Sequence, residues 1–254
     1  MSYTVIRPCR ELQDFVSHFW VGNWSGEPVA DSTYYLTANS LTELAFAFEY
    51  TAGHPELLFS SVQGQTNQHG QFAAGDFYEL FGVSLFSYAI PCFFDVSPDA
   101  LNNQFVSVET LLGNVGNELT ERIVTAATTE ERVNILSAFF IAQLKKRYHE
   151  DRQMIEAVRY IRRNIPQLNV NDLSAEFCLS QKQFERRFKA FAGFNPKMYS
   201  RIVRFESVLH HRNHYPSLTE AAYANGYYDQ AHFIHDFKKF SGYSPQKFFR
   251  LSKY

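Results

Sequence analysis

Phe184, Phe188 and Phe191 are followed 49 positions later by Phe233, Phe237 and Phe240. Steps of four and three residues put each set on one face of an α-helix, so the pattern predicts two amphipathic helices. Their surroundings repeat as well: Lys189, Gly193, Phe194 and Pro196 recur as Lys238, Gly242, Tyr243 and Pro245. The glycine after each helix stops it where a positive φ is needed. Upstream of each helix lies a shorter helical pattern, at 169–178 and 217–226, and then a tight turn at Leu179 or Tyr227. Two short helices joined by a tight turn, the second one amphipathic, form a helix-turn-helix. The sequence predicts two of them in tandem. Asn195-Pro196 supplies a capping residue and a proline at the first helical position. The helix they open runs to about His211, roughly 24 Å at 1.5 Å per residue. A connector of that length suits two reading helices about one DNA turn, roughly 34 Å, apart.

Elsewhere the pattern changes period. Leu44-Ala-Phe-Ala-Phe-Glu-Tyr alternates, and Leu57-Leu-Phe-Ser-Ser-Val and Tyr78-Glu-Leu-Phe-Gly-Val-Ser-Leu-Phe are β-rich, with turn residues such as Gly53-His-Pro and Asn67-Gln-His-Gly between them. From about Val108 the pattern is helical: 115–126 is amphipathic, and Thr128-Thr-Glu-Glu131 resembles a capping box opening a long helix towards Tyr148. Ser217-Leu-Thr-Glu220 reads as another. The predicted fold is α+β. Residues 1–150 form a β-rich sensor or dimerisation domain with trailing helices, and residues 151–254 an all-α domain with two helix-turn-helix units joined by a long helix. Ile135, Leu136, Phe139 and Phe140 make one helical stripe. It either contacts a second copy of the chain, giving a homodimer, or covers the sheet.

Charge separates the same two halves. Residues 1–150 carry 7 Lys+Arg against 17 Asp+Glu, whereas residues 151–254 carry 17 against 9. The near-neutral whole hides balances of −10 and +8, and only the basic half suits a phosphate backbone. Cys9, Cys92 and Cys178 are scattered without CxxC spacing, which argues against a zinc site or disulfide framework. No metal or other cofactor is expected. The first residues lack a signal-peptide profile, and the strongest apolar run, at 135–142, is too short for a bilayer. The expectation is a cytoplasmic protein without membrane contact.

With the phenylalanines inward, about 100° per residue places Lys182, Arg186 and Lys189 on the opposite face, flanked by Gln183 and Glu185. Arg186 can offer guanine a bidentate fork and Gln183 can pair with adenine, while Lys182 and Lys189 suit phosphates. The second helix turns out Ala231, His235 and Lys238, with Gln230, His232 and Ile234 at the edges. Ala231 can meet a thymine methyl, and Gln230 or His235 a base edge. Any surface helix opposes charge to phenylalanine; the duplication is what favours DNA.

The run Leu218-Thr-Glu-Ala-Ala-Tyr-Ala-Asn-Gly-Tyr-Tyr-Asp-Gln-Ala-His-Phe-Ile-His-Asp-Phe-Lys-Lys-Phe-Ser-Gly-Tyr-Ser-Pro-Gln-Lys-Phe-Phe resembles the second helix-turn-helix of the AraC family of bacterial transcription regulators. The resemblance extends over about residues 154–251. It implies base-facing positions at Lys182, Glu185 and Arg186 in the first unit and at Gln230, Ala231, His232 and His235 in the second. One departure is Cys178, where that family's first turn usually carries glycine, so strain is expected there. Arg7-Pro, Leu12-Gln-Asp-Phe-Val-Ser-His-Phe-Trp and Phe81-Gly-Val-Ser-Leu-Phe resemble a cupin-like (jelly-roll) sensor domain of some such regulators. His18, His54 and His69 stand isolated, which implies a metal-free pocket for any small-molecule effector. Trp20, Trp24, Phe46, Phe48 and Phe86 are candidates to line it, although aromatic residues at strand spacing more often build plain core.

The leading reading is a sequence-specific regulator that binds double-stranded promoter DNA, responds to an effector or to dimerisation, and works on RNA polymerase. The alternatives are an enzyme, for which no GxSxG, HExxH, P-loop or GxGxxG motif is present, and a protein-interaction adaptor that has lost DNA binding.

Overall fold

The computed structural model describes residues 2–23, 33–51, 54–73, 79–147, 151–165 and 168–251. The chain divides into two compact units: Met1–Tyr34 with Leu41–Gln65 and Ala73–Glu150, and Tyr35–Ser40 with Thr66–Phe72 and Asp151–Tyr254. Two short pieces of the acidic half therefore belong to the basic, helical unit. The α+β arrangement is the one expected.

The first unit is built on six antiparallel strands: β1 (Ser2–Ile6), β2 (Val16–Asn23), β4 (Leu41–Thr51), β5 (His54–Gln63), β7 (Glu79–Phe86) and β8 (Phe105–Ser107). They lie in the order β1-β2-β7-β4-β5-β8, while β3 (Thr33–Leu36) pairs separately with β6 (Gly70–Ala73). The period of two decides what each strand buries. Leu44, Phe46 and Phe48 of β4 join Phe19, Phe81, Val83 and Leu85 in one core, whereas Trp20, Ala47 and Leu80 form a separate cluster with Ala45. Gly82 is glycine because Trp20 lies against it: a Cβ there would stand 2.5 Å from Trp20 Cζ2 and 2.8 Å from the Leu44 carbonyl oxygen.

Helices α1 (Ile90–Phe93), α2 (Val108–Leu112), α3 (Asn114–Thr125) and α4 (Thr129–Arg147) complete this unit. The capping residues before α4 form as read, with one displacement. Thr128 Oγ1 accepts from the Glu131 N–H at 3.1 Å, and the Glu131 carboxylate takes the N–H of Ala127 at 2.7 Å. Leu136 and Phe140 are fully buried in the sheet core, with Ile135 and Phe139 packed beside them, and the Phe93 and Phe140 rings are 4.4 Å apart. The apolar stripe of α4 thus covers its own sheet through Leu136 and Phe140, while Ile135 and Phe139 stay half-exposed. One element had no sequence signal: Arg132 is buried, paired with Glu79, and lies 4.2 Å from the Phe48 ring centre.

The second unit holds α5 (Arg152–Arg163), α6 (Leu173–Glu176), α7 (Gln181–Ala192), α8 (Pro196–His211), α9 (Leu218–Ala224), α10 (Gln230–Ser241) and α11 (Pro245–Leu251). Phe184 and Phe188 are buried as expected, but Ala192 takes the third core position and Phe191 is only half-buried. Phe237 is the hub of the second half. Its ring meets those of Phe205, Phe233, Phe248 and Phe249 at 5.1–5.7 Å. Among the described residues no helix is long and apolar enough to cross a membrane.

Candidate nucleic-acid interface

The duplication in sequence is a duplication in structure. Both α7 and α10 have 12 residues, and each begins at a side-chain cap: Ser180 accepts from the Gln183 N–H, and Asp229 from the His232 N–H at 2.7 Å. Both end at a glycine with positive φ, Gly193 at 81° and Gly242 at 77°. Each cap contributes about 1 kcal/mol and fixes where the helix starts. Asn195 caps α8 through the Met198 N–H at 2.8 Å, and Ser217 caps α9 through the Glu220 N–H at 3.1 Å.

The turns before the two helices differ by one residue in length and in which residue takes the positive φ. Gly226 has φ 78°, a region open to glycine; Cys178 occupies the equivalent place at φ 53° with a side chain attached. The expected strain is present. Cys178 is exposed, so removing its thiol forfeits little packing. Cys178→Gly should raise stability by about 0.5–1 kcal/mol, the relief of a left-handed residue less the entropy a glycine adds to the unfolded chain. Gly226→Ala should lower it by about 1–2 kcal/mol. Urea unfolding of the full chain measures both, and a less stable Cys178→Gly protein would mean that the turn is unstrained.

Lys182, Gln183, Glu185, Arg186 and Lys189 are all exposed on α7. Gln183 also serves the helix itself, because its side-chain oxygen accepts from the Ser180 N–H at 3.2 Å and hydroxyl at 2.9 Å, completing a capping box. A bidentate pair with adenine would have to release that cap. Glu185 accepts from Gln181 Nε2 at 3.1 Å. Arg187 faces inward instead, donating to Gln153 at 2.7 Å and to both carboxylate oxygens of Asp151 at 3.0 and 3.1 Å, which ties α7 to α5.

On α10, Gln230, Ala231, His235 and Lys238 are exposed, while His232 is half-buried with its ring 5.3 Å from that of Tyr227. Both histidines approach a residue that sequence reasoning passed over. Asp236 is 1 % exposed; its carboxylate takes Arg201 Nη2 at 2.6 Å and Nε at 3.1 Å, with His232 Nε2 at 3.5 Å and His235 Nδ1 at 3.4 Å. Burial pushes this carboxyl upwards, but the Arg201 guanidinium outweighs it and holds the group below the usual aspartate range. Arg204, one turn along α8, has its guanidinium 5.4 Å from the Tyr227 ring. Burial raises the Tyr227 phenol and lowers Arg204. The connector α8 and the helix α10 are thus joined by a fork of fixed geometry, and α10 is held by charge as well as by phenylalanine. Asp236 falls on the apolar stripe between Phe233 and Phe237, and a carboxylate in that position was the available signal.

A family profile described as a helix-turn-helix domain matches residues 173–251, spanning α6 to α11. The chain carries an AraC-family helix-turn-helix domain. A domain of this kind binds DNA. A second profile, of a domain of unknown function (DUF6597), matches residues 4–107. No curated protein matches the chain. Among solved structures it is similar to apo ToxT, in variant form, from Vibrio cholerae strain SCE256, at 11% identity and TM-score 0.50, over 91% of this chain and 96% of that one. It is also similar to ToxT from Vibrio cholerae O395 bound to (E)-4-(8-methylnaphthalen-1-yl)but-3-enoic acid, at 12% identity and TM-score 0.50, over 99% of each chain. Such identities speak for the fold alone.

The residues expected to line an effector pocket do not share a wall. Phe46 and Phe48 are fully buried in the core with Phe81 and Val83, and Trp20 lies in the other cluster because the strand period sends it there. Phe86 is half-buried, stacked on Tyr88 at 5.4 Å, and Trp24 lies outside the described residues. Trp20 Nε1 is buried and has no hydrogen-bond partner among the described residues.

Proposed function

We propose that the protein reads two adjacent major-groove segments of a promoter, one with α7 and one with α10, under control of a small-molecule effector acting on the N-terminal unit. The observation that carries this reading is the repeated pair of 12-residue helices with matching caps and glycine stops. In the first helix Arg186 reads a base edge with Lys182 and Glu185 beside it, and Lys189 grips phosphate. In the second, Gln230, Ala231 and His235 meet base edges and Lys238 meets phosphate. His232 contributes from the rim, since its ring is partly committed to Tyr227 and Asp236. The exposed permanent cations of this helix are Lys238 and Lys239, both in its last turn, against Lys182, Arg186 and Lys189 along α7, so it adds shape and register more than affinity.

Effector control is supported by the compound bound to ToxT from strain O395 and by Trp20, whose indole N–H has no partner among the described residues and suits a ligand acceptor. The reading includes contact with RNA polymerase, a homodimer, residence in the cytoplasm and no catalytic chemistry.

Footprinting of the full chain on a site selected from random DNA tests the proposal. Two protected segments should appear on one face of the duplex, about 10 bp apart and unlike in sequence. A single protected segment would show that α10 does not dock. No binding even to random duplex at low salt would favour the adaptor.

A further inference from the structure

The helical unit is not a contiguous stretch of chain. Tyr35–Ser40 and Thr66–Phe72 belong to it, and they are knitted to each other by paired backbone hydrogen bonds between Asn39 and Thr66, at 2.9 and 3.1 Å. Ser40 is fully buried; its N–H donates to Glu206 Oε1 at 2.5 Å and its hydroxyl to Glu206 Oε2 at 2.7 Å. Arg162, in the last turn of α5, donates to the Ser40 hydroxyl at 2.9 Å and stands 3.8 Å from the same carboxylate. Two residues earlier, the Ala38 N–H donates to the Phe240 carbonyl at 2.9 Å. That carbonyl lies in the last turn of α10, where a helix has no partner of its own to offer. From the other segment, Gln71 Nε2 donates to the Tyr243 hydroxyl at 3.0 Å, and a Cβ on Gly242 would stand 2.9 Å from the His69 ring.

These contacts reach three parts of the DNA-reading machinery. Arg162 is on α5, which Arg187 ties to the first reading helix; Glu206 is on the connector α8; Phe240 and Tyr243 close the second reading helix. A connector helix fixes the distance between two units but leaves each free to rock about its own end. A second tie, from α5 across α8 to the far end of α10, removes that freedom. We propose that the paired segments are a strut that sets the spacing of the two reading helices, with Ser40 and Glu206 as positioning residues for DNA recognition. The proposal rests on the two-segment reading above, and it implies that residues 151–254 alone are an incomplete reader.

The test uses the full chain and duplexes in which the two segments are separated by the selected spacing or by one base pair more or less. Wild type must first footprint both segments; if it does not, the two-segment reading has failed and the strut with it. Given that footprint, wild type should prefer the selected spacing. Glu206→Gln and Ser40→Ala should each erode that preference roughly threefold to tenfold, the worth of one or two hydrogen bonds. Affinity for a duplex carrying only one segment should stay unchanged, which a general loss of folding would not allow. Should either variant fail to fold, Gln71→Ala, at an exposed position on the other segment, carries the same expectation. An unaltered spacing preference would overturn the proposal. So would tighter binding at the selected spacing, which would make the strut a restraint on reading.

Discussion

Arg201→Met is expected to lower the stability of the helical unit by about 3–5 kcal/mol, because it leaves the Asp236 carboxylate buried without its cation. The remaining neighbours are poor substitutes: His232 and His235 stand at 3.5 and 3.4 Å, against 2.6 and 3.1 Å for the two Arg201 nitrogens. Adding Asp236→Leu to the same chain should restore most of the loss, since an apolar pair of similar volume removes the stranded charge. The double-mutant cycle separates the worth of the pair from the penalty of breaking it. The pH dependence follows from the direction of the Asp236 shift. A carboxyl held below its ordinary value in the fold contributes stability above that value, about 4, and the contribution disappears as pH falls through the depressed one. The difference between wild type and Arg201→Met/Asp236→Leu should therefore be flat from pH 6 to 8, measured by urea unfolding, and should shift only in strong acid. If Arg201→Met alone stayed within about 1 kcal/mol of wild type, the two histidines would suffice and the fork would be incidental.

The helical half was legible because its signals are local and occur twice. Phenylalanine spacing, a cap and a stop glycine lie within 16 residues of one another, and the repeat at 49 positions supplies its own control. Even the strained turn at Cys178 follows from which residue stands where a glycine belongs. The strut was illegible for the opposite reason. Ser40 and Glu206 are separated by 166 positions, and a buried serine that satisfies a half-buried carboxylate has no period to betray it. Gln183 shows a limit within the local signal, since one exposed amide can either cap its helix or face a base, and helical angle does not distinguish them. In the sheet, the alternation on β4 was readable, but not which side the helices would cover. Phe46 and Trp20 could be grouped as one pocket wall on chemistry, and the pairing of β2, β7 and β4 puts them on opposite faces.

Arg186→Ala should weaken binding to the selected site by about 1–3 kcal/mol and relax preference at one base pair, because a bidentate fork on guanine has no substitute nearby. The side chain is exposed on α7, so the loss arises in the complex and leaves folding alone. Lys189→Ala makes the contrast. A phosphate contact carries no sequence information, so all duplexes should weaken alike and the slope of log affinity against log salt should fall by about 0.9. Arg187→Ala, beside it in sequence, should do neither. Its guanidinium is held by Asp151 and Gln153, and its removal should appear in urea unfolding. Titration of the three variants against the selected site, its single-base substitutions and random duplex, at several salt concentrations, separates these roles. Equal losses for Arg186→Ala on selected and random DNA would reassign that residue to the backbone. The base reading of the first segment would then have to come from Lys182 and Glu185, the remaining exposed side chains of the face that are not committed to the cap.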